Sequence, residues 1–192
     1  IRDKTFKHRG GDDGLAINVF VEYIEGDYEL VSTAKELKNA RTKNIYLLND
    51  IDFNGDEFSF SSYNKIFKGN GYTVKNFKVL IKGDKSSGVD DHLDSILKAV
   101  YGSIFGNLNN ATITDVTFEN VEFVVNVGYD LINKVYISPL CVNMTNSNIK
   151  NVSITANCSN PKLPSNFDLN NLIITEDDHI VKKENSVVEN LD

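Results

Sequence analysis

The sequence predicts an all-β chain folded as a β-solenoid, with one short helix near its N-terminal end. Three observations carry this. A six-residue pattern recurs along the chain, Asn and Gly interrupt the apolar runs every few residues, and helix-forming residues are scarce. Of 192 residues, 25 are Asn, six are Ala and none is Gln. Ala and Gln are strong helix formers, so this composition argues against a helical bundle.

The pattern reads apolar, any, Asn or Asp, apolar, any, apolar. It occurs as Val74-Lys75-Asn76-Phe77-Lys78-Val79, as Ile113-Thr114-Asp115-Val116-Thr117-Phe118 and as Ile149-Lys150-Asn151-Val152-Ser153-Ile154. A clipped copy, Val188-Glu189-Asn190-Leu191, ends the chain, and successive copies start 39, 36 and 39 residues apart. Side chains alternate along a strand, so the first, fourth and sixth positions share a face only if the chain bends between them. Asx residues tolerate the left-handed conformation and bond nearby backbone, which suits a corner at Asn76, Asp115, Asn151 and Asn190. Strand, corner and strand make the wall of a solenoid whose coils stack about 4.8 Å apart. Stacked amides can then bond along the stack. The spacing is expected to cover two coils of roughly 18–20 residues each. The competing fold is a β-sandwich with similar strands.

The elements follow in order. Residues 1–14 are charged and Gly-rich and read as an arm or linker. Residues 15–44 read as an N-terminal strand and a capping helix; Thr33 and Glu36 form a capping box, and the helix ends near Ala40 to Arg41. Residues 45–192 read as solenoid repeats with surface loops at 82–95 and 157–171, continuing past the chain end. A helical turn is expected from Asp94 to Val100, and Pro161 and Pro164 exclude a central strand from the second loop. Ile1 is not a start Met, so the chain reads as processed or as part of something larger. Cys141 and Cys158 read as two half-buried thiols or as a stacked pair able to form one disulfide.

Several segments together resemble a known repeat. They are Leu47-Leu48-Asn49-Asp50-Ile51-Asp52-Phe53, Phe67-Lys68-Gly69-Asn70-Gly71-Tyr72-Thr73-Val74-Lys75-Asn76-Phe77, Ile104-Phe105-Gly106-Asn107-Leu108 and Ala111-Thr112-Ile113-Thr114-Asp115-Val116. Over roughly residues 30–156 the chain is similar to right-handed parallel β-helix segments of large bacterial surface proteins. These include the Gly-Leu-Uncharged-Gly repeat family and the N-terminal regions of immunoglobulin-A-cleaving metallopeptidases, and related modules occur in phage tail proteins. The resemblance implies a right-handed parallel β-helix in an extracellular, cell-surface or virion setting. The family's Phe-Gly corner is replaced here by Ser138-Pro139-Leu140-Cys141, and no His-Glu-x-x-His motif carries the peptidase chemistry over.

Candidate chemistry is sparse. Asp50, Asp52, Asp56 and Glu57 cluster within a few positions, with Asp50 and Asp52 on one strand face. Clustered carboxylates on one wall could serve a polysaccharide hydrolase or lyase. The same residues also read as a corner and a turn cap, and no Lys or Arg falls in step with them, as a lyase would need. Lys68, Lys75, Lys78, Lys82 and Lys85 form a basic stretch, with Lys68, Lys78 and Lys82 facing outward. This is either a solvated face or a patch for an acidic glycan or partner. Asp90, Asp91 and His92, and the similar Asp177-Asp178-His179, are the weak metal candidates. No cofactor is expected.

The net charge of -7 argues against a general nucleic-acid binder. No apolar run approaches the roughly 20 residues of a membrane span. The expected role is a non-catalytic spacer, adhesion or assembly module. Its open solenoid end would meet further chain, another subunit or a neighbouring structural protein.

Overall fold

A computed structural model of the chain describes residues 26–83, 98–127, 132–159, 161–174 and 179–192. The arm at 1–14, the strand expected before Gly26, and Lys85, Asp90, Asp91, His92, Asp177 and Asp178 lie outside these residues. The described chain is mostly β-strand, and every strand pairing in it is parallel.

Strand β1 (Tyr28–Val31) leads into helix α1 (Ala34–Asn39). Thr33 caps the helix: Glu36 N–H donates to Thr33 Oγ1 at 3.2 Å and Thr33 N–H donates to Glu36 Oε2 at 3.0 Å. These two bonds satisfy donors that a helix start leaves open. Bonds from the Ser32 and Thr33 backbone hold the Glu36 carboxyl below its usual range. Strands β2 (Asn44–Leu47) and β3 (Ile51–Asp52) follow, then β4 (Phe60–Tyr63). Next come β5 (Ile66–Lys68), β6 (Thr73–Lys75) and β7 (Lys78–Gly83). Beyond them lie β8 (Lys98–Gly102), β9 (Phe105–Asn109) and the long β10 (Thr112–Val127). The last are β11 (Ile132–Ile137), β12 (Cys141–Thr145), β13 (Asn148–Cys158), β14 (Leu172–Ile174), β15 (Ile180–Glu184) and β16 (Val187–Leu191).

These strands form three sheets. The largest runs β1-β2-β5-β10-β13-β16, with β3, β6 and β7 joined to it; the others run β14-β11-β8 and β15-β12-β9-β4. From β10 onward the chain visits the sheets in a fixed order. It goes from the large sheet to the three-stranded one, then to the four-stranded one, and back.

Each return brings a residue beside its counterpart. Ile113 pairs with Ile149, and Ile149 with Val188. The side-chain bonds between such counterparts span 36 and 39 residues. From β10 onward one repeat is therefore one passage through all three sheets, which corrects the expectation of two coils per repeat; the earlier return from β2 to β5 passes through the four-stranded sheet alone. The third sheet accounts for the extra length.

Strand β10 explains the sequence pattern. Its inward residues are Ile113, Val116, Phe118, Val121 and Phe123, all buried. The inward step is two along each straight run and three across Asp115 and Asn120. Both of those residues are left-handed, with φ 53°. A left-handed residue turns the strand and shifts the alternation by one, so both runs point into the same core. The three runs of β10 then pair with β5, β6 and β7 in turn.

The interior is aromatic toward the N-terminal end. Phe60 stacks on Phe105 at 4.7 Å between ring centres, and Phe118 meets Phe67, Phe77 and Phe105 edge-on or tilted. Tyr63 is buried among them, and its hydroxyl donates to the Lys43 and Ile66 carbonyls, both at 2.9 Å. Burial raises its pKa. Leu37 and Ala40 of the α1 region belong to the same buried cluster.

Some expected boundaries move. Lys82 and Gly83 belong to β7, and Lys98–Gly102 is strand rather than the end of a helical turn. Asn157 and Cys158 finish β13, so the second loop begins later. The described residues of that loop include a parallel bridge, Lys162 with Asn126, and a 3-10 turn at Leu169–Asn171. Both cysteines are free thiols. Cys141 pairs in register with Phe105 and Ile180, whereas Cys158 lies beside Phe123 in another sheet, so the two do not stack.

Candidate functional site

Corners dominate the polar surface. Eleven non-glycine residues in the described chain have positive φ, and nine of them are Asn. Asn reaches this conformation more cheaply than other residues with a side chain, because its amide can bond locally. In the first passages a two-residue corner replaces the single Asx. Asn54-Gly55 has φ of 51° and 85°, and Asn70-Gly71 has 54° and 80°. Gly55 N–H donates to Asn76 O, and Gly71 N–H donates to Asp115 O, both at 2.7 Å.

Side chains at the corners form three lines running along the stack. In one, Asn76 Nδ2 donates to both carboxylate oxygens of Asp52 at 3.0 Å, and Asn120 Nδ2 donates to Asn76 Oδ1 at 2.7 Å. In the second, Asn151 Nδ2 donates to Asp115 Oδ1 at 2.7 Å, and Asn190 Nδ2 donates to Asn151 Oδ1 at 2.8 Å. In the third, Asn143 Nδ2 donates to Asn107 Oδ1 at 2.7 Å.

The four corner residues singled out from sequence all have positive φ. They do not occupy one place, however. Asp115, Asn151 and Asn190 share a line, whereas Asn76 belongs with Asp52 and Asn120. Val74 pairs with Phe118, and the partner of Ile113 on that side is Phe67. Asn120 escaped the sequence reading, although the three-residue step from Phe118 to Val121 marks it.

The four clustered acids are held in different ways. Asp50 Oδ1 accepts from Thr73 N–H at 2.9 Å. Asp52 accepts from Asn76 and from Asn54 N–H, the latter at 2.8 Å. These bonds, the Asn76 amide first, hold the Asp52 carboxyl below its usual range, with the charge of Lys75 assisting. Asp56 pairs with Lys38 at 2.8 Å. Glu57 is exposed and forms a parallel bridge with Lys78 through its backbone. Lysines do stand in step with these acids: Lys75 pairs in register with Asp52, and Lys38 reaches Asp56. A linear reading missed both because the pairings join distant segments.

Among the basic candidates, Lys68 Nζ lies 5.0 Å over the Tyr28 ring, and Lys78 Nζ lies 3.6 Å from Glu122 on the paired strand. Lys82 is exposed at the end of β7. Both described partners are local, so these lysines do not converge on one point.

Two shallow grooves follow the amide lines. One, of about 330 Å³, runs past Gly71, Asp115, Asn151, Asn190 and Asp192. The other, of about 260 Å³, runs past Gly55, Asn76, Asn120 and Glu122. A third hollow of about 350 Å³ opens at the C-terminal end of the core, lined by Phe123, Ile137, Ile154, Cys158, Ile174 and His179. Burial pushes the Cys141 thiol up to about 12. Burial and the nearby Glu122 charge raise Cys158 as well.

Among the described residues, no three His, Cys, Asp or Glu side chains are grouped as metal ligands. No helix among them is long and apolar enough to cross a membrane. Comparison with known proteins finds no matching family model, no matching curated protein and no matching solved structure.

Proposed function

We propose that this chain is a segment of right-handed parallel β-helix, of the kind found in bacterial surface-protein repeats, acting as a non-catalytic spacer and assembly element. The supporting observation is the set of in-register amide lines. They commit the wall's polar side chains to one another rather than to a ligand. The fixed order of sheet visits supports the helical path. The right hand follows from the general rule for crossovers between parallel strands, obeyed in about 98% of cases. Helix α1 covers the N-terminal end of the stack, where Leu37 is fully buried. The opposite end presents β16 with one edge unpaired among the described strands. An open parallel edge invites another strand. We therefore place further chain, another subunit or a neighbouring structural protein at that edge, in a cell-surface or virion setting.

One observation favours an enzyme instead: Lys75 stands beside Asp52, the acid–base pairing a uronate lyase would need. Against it, Asp52 already accepts bonds from Asn76 and Asn54. A panel of acidic and bacterial polysaccharides, assayed with the native chain and with Asp52→Asn, separates the two. Turnover by the native chain that Asp52→Asn abolishes would establish the enzyme. No turnover across the panel supports the spacer.

A further inference from the structure

The amide lines have a direction. In each, the later residue donates Nδ2 to the oxygen of the earlier one. Two of the three start on an aspartate, Asp52 or Asp115. A carboxylate only accepts, so it fixes the orientation of the first amide, which fixes the next. Asp115 therefore forces Asn151 to turn Oδ1 toward Asn190, and Asn190 to turn its own Oδ1 away from the stack. That oxygen accepts no bond within the described chain. Beside it, β16 leaves one edge unpaired among the described strands, and every second residue of a parallel strand points its N–H and C=O to such an edge.

We propose that the C-terminal edge takes one parallel β-strand from a partner segment that sets an Asn amide over Asn190, and that Asp115 imposes this choice. The inference rests on the edge-docking reading above and adds the chemistry of the partner. A donor must meet Asn190 Oδ1, so Asn fits and Asp does not. A second copy does not fit either. A two-fold contact would set the same acceptor against itself, and a head-to-tail copy would present β1, where Val31 runs into Ser32 and helix α1 rather than into an Asn corner. In the third line a donor-bearing residue comes next in register. Beyond Asn143, the next residue in register is Lys182, which has only donors.

The test uses the full chain at neutral pH and two synthetic peptides. One copies residues 148–156; the other carries Asp in place of its corner Asn151. Hydrogen exchange at the β16 amides reports docking. The Asn peptide should slow exchange at β16, with an affinity at least about tenfold above that of the Asp peptide, since opposed acceptors lose a bond and leave a polar group unmet. In Asp115→Asn the line can run either way, and the preference should shrink to about threefold or less. Equal protection by both peptides on the native chain overturns the directional inference while leaving edge docking in place. Unchanged preference in Asp115→Asn overturns the role of Asp115. No protection by either peptide overturns edge docking itself.

Discussion

The two ends of the stacked sheets differ in how they finish. At the N-terminal end, helix α1 buries Leu37 completely, and the adjoining interior is a mesh of Phe and Tyr rings. At the C-terminal end the interior turns aliphatic and the burial loosens. Ile174 is 43% exposed, Val188 and Leu191 are only partly buried, and a hollow opens between Phe123, Ile154 and Ile174. The same backbone pairing runs through both, so the pairing alone does not decide stability. Apolar burial inside the stack does, because each buried methylene contributes about 0.8 kcal/mol. One end buries its apolar side chains more completely than the other.

The sharpest way to break this contrast is to empty each end in turn. Leu37→Ala should cost about 2–5 kcal/mol, the usual range for a buried Leu, read as a lower denaturant midpoint. Leu191→Ala, on the last strand and only partly buried, should cost about 1 kcal/mol or less. Equal losses would remove the contrast between the ends.

The corners come next. Asn151 is left-handed and sits in the middle of an amide line. Asn151→Gly keeps the backbone free but removes the line, and should cost about 1 kcal/mol. Asn151→Ala adds left-handed strain of roughly 1–2 kcal/mol. Chemical denaturation of the pair separates the two contributions. If Ala and Gly were equal, the corner would not depend on its conformation.

The thiols test the same difference kinetically. Cys158 lies partly exposed beside the C-terminal hollow, and Cys141 is buried with its pKa at about 12. A thiol-alkylating reagent at neutral pH should modify Cys158 slowly and Cys141 only on unfolding. Mass spectrometry of the peptides checks the order.

The smallest expected effect is on acid stability. Asp52 has a lowered pKa in the folded chain. In the unfolded chain it would titrate near its usual value of about 3.9. Its stabilisation is therefore complete above that value and is lost as pH falls through the lower folded value. Asp52→Asn should flatten this part of the acid-unfolding curve. An unchanged curve would mean that the Asn76 bond does not matter to folding.

Much of this was legible locally. The step from Ile113 to Val116 to Phe118 already required a bend at Asp115, and the capping box at Thr33 and Glu36 is a local signal. Register was not legible. Phe67 is the partner of Ile113, but its corner is Gly69-Asn70-Gly71, two left-handed residues in place of one, so a template with a single Asx slid to Asn76. The glycines have their own reason. A methyl on Gly106 would run into the Ser61 carbonyl of the neighbouring strand, a contact invisible before the strands are paired. The lysines beside Asp52 and Asp56 were missed for the same reason.

From β10 onward one repeat makes one passage through all three sheets, so residues one repeat apart are neighbours. Thr117 and Ser153 pair in register on adjacent strands, and such neighbours lie close enough for a disulfide. Thr117→Cys/Ser153→Cys should form an intrachain disulfide on mild oxidation of the folded monomer. Thr117→Cys/Tyr136→Cys, roughly half a repeat apart, should not. The reverse outcome, a bond in the second variant and none in the first, would contradict the stacked register and restore two coils per repeat.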